Sequence, residues 1–224
     1  MSKKKEKKQK DMMDQILTIA VPCSRDVSPS WAQRLTIMQK PFKQYELLMT
    51  HGLIVDEARN YLVDLAKGDY IFFLDSDVIP PIDVITRLLR HDKDIVTGLY
   101  FSKTPPFFPV IFKESDAPGR HDTKVFYEKD KLIEIDSAGM GCALIKKEVF
   151  DKIGAPWYYF TSGYGEKLRE SEDHYFFRRA KEEGYKVYCD TSASCAHVGG
   201  DTGTVTEGMW EEMRKSEFES NKPQ

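Results

Sequence analysis

The sequence has no apolar run near the roughly 20 residues that a membrane-spanning helix needs, and nothing in it repeats. It has no C-x-x-C pair. Its cysteines stand apart at Cys23, Cys142, Cys189 and Cys195, which argues against a zinc knuckle and makes free thiols in a reducing compartment the expectation. It has no G-x-G-x-x-G, so the dinucleotide fingerprint is missing. It has no excess of positive charge either. A formal net charge of −3 excludes nucleic acid as an electrostatic partner of the whole chain. The exception is the opening M-S-K-K-K-E-K-K-Q-K, a lysine block with no signal-peptide character and no helical or strand period. Its plain reading is a solvated tail. Its functional reading is weak peripheral contact with an anionic membrane, each lysine contributing about 1 kcal/mol near such a surface. The expected location is therefore cytoplasmic, with peripheral membrane contact as the variant.

What remains is ordinary: 224 residues, 41% hydrophobic and 31% charged, enough for one α/β domain with a full core. The expected division is a basic tail over 1–14, one domain over 15–205, and a C-terminal helix and tail over 206–224.

The most informative stretch is Y-I-F-F-L-D-S-D-V-I-P-P, residues 70–81. Its apolar run is short, aromatic and β-branched, and it predicts a strand buried on both faces. Such strands belong to parallel or mixed sheets covered by helices. The run stops at Asp75, and Asp77 follows. Ligands of open α/β sheets bind outside the carboxyl ends of the strands, where two unpaired carboxylates are costly to bury. A divalent cation, Mg²⁺ or Mn²⁺, compensates them and suits carboxylate oxygens plus a phosphate. The plain alternative is an acidic turn that only ends a strand.

In chain order, Ile16–Pro22 predicts the first strand, and the polar loop from Cys23 to Ser30 sits where a base or ribose often lies. Pro29–Phe42 carries no readable period. Tyr45–Met49 predicts a second strand. Leu53–Lys67 predicts a helix with Ala58, Tyr61, Leu62 and Leu65 as its core stripe and Gly68 as its stop. Arg59 lies off that stripe but leads toward the acidic edge. Pro80-Pro81 predicts a helix start, with Ile82, Ile85, Leu88 and Leu89 inward. Asp94–Phe101 predicts a strand. Val110–Phe112, Lys124–Tyr127 and Leu132–Ile135 predict a small antiparallel patch. Asp136–Gly141 is a small-residue turn before a strand at Cys142–Ile145 and a short helix ending at Gly154. Pro156–Glu170 carries Trp157, Tyr158, Tyr159 and Phe160, readable as core or as a sugar-stacking wall, with Gly163 and Gly165 to let it move as a lid. Ser171 predicts an N-cap. Asp173 falls on one stripe with Phe176, Phe177 and Ala180, and a carboxylate there needs a partner or a purpose. Tyr185–Cys189 predicts another strand. His197 is a softer third ligand beside the two carboxylates and biases the site toward Mn²⁺. Thr206–Ser220 predicts a last helix with Met209, Trp210 and Met213 packed on the domain.

Five pieces in this order, A-R-N at Ala58–Asn60, L-D-S-D at Leu74–Asp77, S-A-G-M-G-C-A at Ser137–Ala143, E-D at Glu172-Asp173 and A-H-V-G at Ala196–Gly199, resemble a glycosyltransferase of the GT-A fold. The likeness is greatest to the family 2-like enzymes of bacteria, archaea and their viruses. The resemblance implies a mixed, mostly parallel sheet flanked by helices, and a nucleotide-diphosphate sugar as donor. It implies that Asp75 faces ribose or metal, that Asp77 holds the metal on the diphosphate, and that His197 completes the shell. Pro22, Arg59 and Ser76 join the donor-binding set, and Gly139 and Gly141 line the sugar pocket. Asp173 becomes the general base, with Glu172 beside it binding acceptor or orienting the base. One base implies inversion at the anomeric carbon. The acceptor is a glycan, lipid, protein or small molecule. Two rivals stand: a non-catalytic sugar- or nucleotide-binding domain of the same fold, and a phosphatase of the haloacid-dehalogenase type, whose D-x-D motif normally ends the first strand.

Overall fold

The computed structural model describes residues 14–24, 26–114, 121–123, 126–161, 170–199 and 203–220. The lysine block, the lid glycines Gly163 and Gly165, and the start of the expected strand at Lys124 lie outside them. Thirteen strands occur among these residues: β1 (Ile16–Val21), β2 (Gln44–Met49), β3 (Tyr70–Leu74), β4 (Val78–Ile79), β5 (Ile95–Leu99), β6 (Ile111–Glu114), β7 (His121–Thr123), β8 (Leu132–Ile135), β9 (Ser137–Ala138), β10 (Cys142–Lys146), β11 (Val187–Ser194), β12 (Ala196–Val198) and β13 (Thr204–Val205). The helices are α1 (Pro29–Ile37), α2 (Val55–Leu65), α3 (Val84–Arg90), α4 (Lys147–Ile153), α5 (Glu172–Glu182) and α6 (Glu207–Ser220).

The main sheet has seven strands in the order β2-β1-β3-β10-β5-β11-β8. β1, β2, β3, β5 and β11 run one way, and β10 and β8 run against them. This is the mixed, mostly parallel sheet of the GT-A fold. β3 is buried at every residue and feeds both layers. Ile71 and Phe73 join the core under α2, α4 and α5, while Tyr70, Phe72 and Leu74 join the core under α1 and α3. The period of two puts alternate side chains into opposite layers. β4, β12 and β13 form a second sheet, and β6, β7 and β9 a third.

Several local expectations change. The unreadable stretch after Ser28 is a helix, capped by the Ser28 hydroxyl, which accepts from the Trp31 N–H at 3.2 Å. Pro29 and the polar residues Ser30, Gln33, Arg34 and Thr36 had hidden its period. In α2 the buried stripe is Ala58, Arg59, Leu62 and Val63, whereas Tyr61 and Leu65 are about half exposed. The inward face is thus rotated so that it includes a charge, which the sequence rule had placed outward. Gly68 does not cap α2. A Cβ there would stand 2.5 Å from the Thr18 nitrogen, so the glycine lets the chain pass close to β1. Pro80-Pro81 does not open a helix. It follows the short strand β4, α3 starts only at Val84, and Ile82 is left exposed. β8 extends the main sheet beside β11 instead of joining the small patch.

Trp31 ties α1 to the sheet edge. Its indole is buried, and its Nε1–H donates to the Asp75 carbonyl at 2.9 Å. Trp31→Ala is expected to cost about 3–5 kcal/mol in urea unfolding. Trp31→Phe, which keeps most of the volume and loses the hydrogen bond, is expected to cost about 1 kcal/mol from that bond.

Candidate functional site

The edge of the sheet at the carboxyl ends of β1, β3 and β5 gathers Pro22, Asp75 and Tyr100. Because β10 runs the other way, its entry residue Gly141 arrives at the same edge. The Asp75 N–H donates to the Gly141 carbonyl at 3.0 Å, and the Val78 N–H closes the acidic turn onto the Asp75 carbonyl at 3.1 Å. β4 then pairs with β12, placing His197 opposite Val78, and the Val198 N–H donates to the Asp77 carbonyl at 2.7 Å. Main-chain pairing therefore brings Asp77 and His197 together from 120 positions apart in the sequence. The His197 Nδ1 lies 2.7 Å from the Phe101 carbonyl. A carbonyl only accepts, so Nδ1 carries the proton. Nε2 lies 3.5 Å from Asp77 Oδ1 and, in the neutral ring, presents its lone pair there.

Arg59 enters from α2 and is 3% exposed. One arm of its fork, Nη1, donates to Glu172 at the start of α5. The other, Nη2, reaches Asp75 Oδ1 at 3.1 Å and Oδ2 at 3.3 Å. Burial pushes the Asp75 carboxyl above its usual range, against the pull of Arg59. Burial, helped by the Asp173 charge, pushes Glu172 up as well. Burial alone would depress Arg59, but the carboxylates of Asp75 and Glu172 outweigh it and hold the guanidinium charged. Asp77 behaves differently. Burial raises it, yet the Lys103 ammonium bonded to it and the His197 ring beside it prevail and bring it down to about 2.

The expected base pair is arranged otherwise than its period suggested. Glu172 is the buried member and Asp173 is partly exposed, because the guanidinium of Arg59 gives Glu172 a buried partner. Ser171 occupies the N-cap position without a side-chain cap bond. Its hydroxyl donates instead to Asp173 Oδ1, which also accepts the His174 N–H at 3.0 Å. The charge of Asp173 acts on Arg59, Asp75 and Tyr100.

The glycine turn has a steric reason. A Cβ at Gly139 would stand 1.8 Å from the Tyr100 hydroxyl, and one at Gly141 would stand 2.9 Å from Asp75 Oδ2. The Gly141 N–H donates to that same hydroxyl at 3.2 Å. The sequence reading missed Tyr100, Lys103 and Trp31. Tyr100 was findable, since it follows a strand at the edge that had singled out Asp75.

A cleft of about 570 Å³ opens here, lined by Pro22, Leu53, Ile54, Asp75, Ser76, Asp77 and Phe160 among others. Of the four aromatics after Pro156, Tyr158 is core, while Tyr159 and Phe160 are exposed at 47% and 38%. Another cleft, of about 590 Å³, lies at the far end of β3 against Tyr70 and Lys146. It is slightly larger, but none of the motif residues reaches it.

No group of three or more His, Cys, Asp or Glu side chains among the described residues is arranged to hold a metal ion. Asp75 turns both oxygens to Arg59, which leaves Asp77 and His197 as a pair. One carboxylate oxygen and one imidazole nitrogen fit a Mg²⁺- or Mn²⁺-type seat, which draws its other ligands from water and substrate phosphates.

Removing Arg59 leaves the buried Glu172 and the partly buried Asp75 without their cation. Arg59→Met is expected to lower unfolding free energy by about 3–5 kcal/mol. Adding Glu172→Met to it is expected to recover part of that loss, a non-additivity that a double-mutant cycle in urea reads directly.

A search of curated protein sequences finds no match to the chain. Among solved structures, A197 from STIV is 21% identical with a TM-score of 0.59, over 86% of this chain and 93% of that one. GalNAc-T7 with UDP, GalNAc and Mn²⁺ is 9% identical, also with a TM-score of 0.59, over 83% of this chain and 43% of that one. These likenesses establish the fold. No helix among the described residues is long and apolar enough to cross a membrane. Residues 23–154 match the model of Glycosyl transferase family 2, a span that holds Arg59, Asp75, Asp77, Gly139 and Gly141. That match covers more than half of the sequence, and the chain belongs to Glycosyl transferase family 2.

Proposed function

We propose that the protein transfers a sugar from a nucleotide-diphosphate donor to an acceptor hydroxyl, with a divalent metal seated on Asp77 and His197 and with Asp173 as the general base. The observation that carries this reading is the convergence of that pair and the N-terminus of α5 on one sheet edge beside a cleft of nucleotide size. In support, the fold is shared with a structure that holds UDP and Mn²⁺. Leu53, Ile54 and Phe160 give the cleft apolar lining suited to a base, and Asp75, Ser76 and Asp77 of the acidic turn line it as well. When bound, the metal supplies charge neutralisation for the leaving diphosphate.

The chain's own groups do the rest. The imidazole proton is pinned on Phe101, so the His197 Nε2 lone pair is oriented before any ligand arrives. Arg59 fixes Asp75 and Glu172 relative to one another, and with Glu172 it fixes the first turn of α5. Glu172 is thereby a positioning residue, with Arg59 and not the acceptor as its partner. Among the described residues, Asp173 uses Oδ1 for the Ser171 hydroxyl and the His174 N–H, and Oδ2 is the oxygen that would take the acceptor's proton. A single base, Asp173, favours inversion.

Asp173→Asn is expected to bind the donor nucleotide within about threefold of wild type while losing roughly 10²–10⁴-fold in transfer. Near wild-type turnover in that variant would defeat the base assignment. Asp77→Asn is expected to abolish the Mn²⁺-dependent part of nucleotide-sugar binding in a thermal-shift screen. Metal-dependent stabilisation equal to wild type would defeat the metal seat.

A further inference from the structure

Lys103 stands at the acidic edge and belongs to none of the sequence motifs. Its Nζ donates to Asp77 Oδ2, while Oδ1 of the same carboxylate faces His197. The lysine follows Tyr100 and Phe101 on a loop that is folded back on itself. The Ser102 N–H donates to the Phe108 carbonyl at 2.8 Å, the Phe107 N–H donates to the Thr104 carbonyl at 2.9 Å, and Phe101 bridges to Pro109. The lysine stem crosses Gly199. A Cβ at that position would stand 3.2 Å from Nζ and 3.4 and 3.5 Å from the two carbons before it. The glycine of A-H-V-G thus clears a path for a cation aimed at the carboxylate assigned to the metal. The Lys103 side chain is 31% exposed and its charge is paired with Asp77.

A divalent cation on Asp77 and an ammonium on the same carboxylate repel each other, so one weakens the other's hold. The donor brings a diphosphate to this edge, and a displaced ammonium finds its next partner there. We propose that Lys103 is an exchangeable counter-ion: it occupies Asp77 until a divalent metal takes that carboxylate, and it then grips the diphosphate of the donor. The inference rests on the reading of Asp77 as a metal ligand and extends it. Its consequence is coupling. Metal alone must displace a bound cation, whereas metal together with diphosphate gives that cation somewhere to go, so each ligand strengthens the other.

The test compares the full chain as wild type, Lys103→Met, Lys103→Arg and Asp77→Asn. Binding of Mn²⁺ alone is followed by the loss of free-ion signal in electron paramagnetic resonance, and binding of inorganic pyrophosphate at saturating Mn²⁺ by calorimetry. Pyrophosphate makes the result independent of the donor's base. Lys103→Met is expected to bind Mn²⁺ alone about tenfold more tightly, because one competing charge is gone, and manganese pyrophosphate about tenfold more weakly. Lys103→Arg is expected to stay close to wild type for Mn²⁺. Unchanged or weaker Mn²⁺ binding in Lys103→Met, or unchanged pyrophosphate binding, overturns the proposal. If Asp77→Asn loses Mn²⁺ while Lys103→Met matches wild type, only the counter-ion role fails. If Asp77→Asn binds Mn²⁺ like wild type, the metal seat fails and the counter-ion role with it. A melting curve in chelator confirms that each variant is folded.

Discussion

A guanidinium buried between two carboxylates from distant parts of the chain fixes the geometry of this edge. Arg59 is held by α2, Asp75 by the end of β3 and Glu172 by the start of α5, and the fork of Arg59 reaches both acids. Only arginine offers two parallel arms that stay charged when buried. The arrangement leaves a charge imbalance. One cation serves two acids, and Asp77 and Asp173 stand nearby with their own negative charge. Among the described residues the acids at this edge outnumber the cations, and Lys103 is one of the cations the chain supplies there.

The second determinant is main-chain pairing outside the large sheet. β4 has two residues and β12 has three, yet their pairing carries His197 to Asp77. Neither strand was legible in the sequence. The proline pair after β4 read as a helix start, and A-H-V-G was assigned to no element. The juxtaposition itself was legible only because an acidic turn at a strand end has few stable surroundings, so a nearby imidazole had a chemical reason to be there.

The same contrast runs through the chain. The strand at residues 70–74 was readable because burial on both faces leaves an unbroken apolar run. The wall of α2 was misread by one residue step, because a period of 3.6 accommodates Ala58–Leu62 with Tyr61 and Leu65, or with Arg59 and Val63. Only the presence of two carboxylates to receive the charge decides for the second. The base pair was misread for the same reason: Glu172 goes inward because Arg59 is already there. Trp31 was hidden by the prolines and polar residues around it. Interactions between distant segments thus decided the points that local pattern left open.

β10 is inserted between β3 and β5, although it follows both in the chain. As the polypeptide leaves the ribosome, β3 and β5 are complete well before residue 142 emerges. Until then each has a raw hydrogen-bonding margin that invites wrong partners. More than forty residues separate β5 from β10, and the seam between β3 and β5 closes only after they have been made.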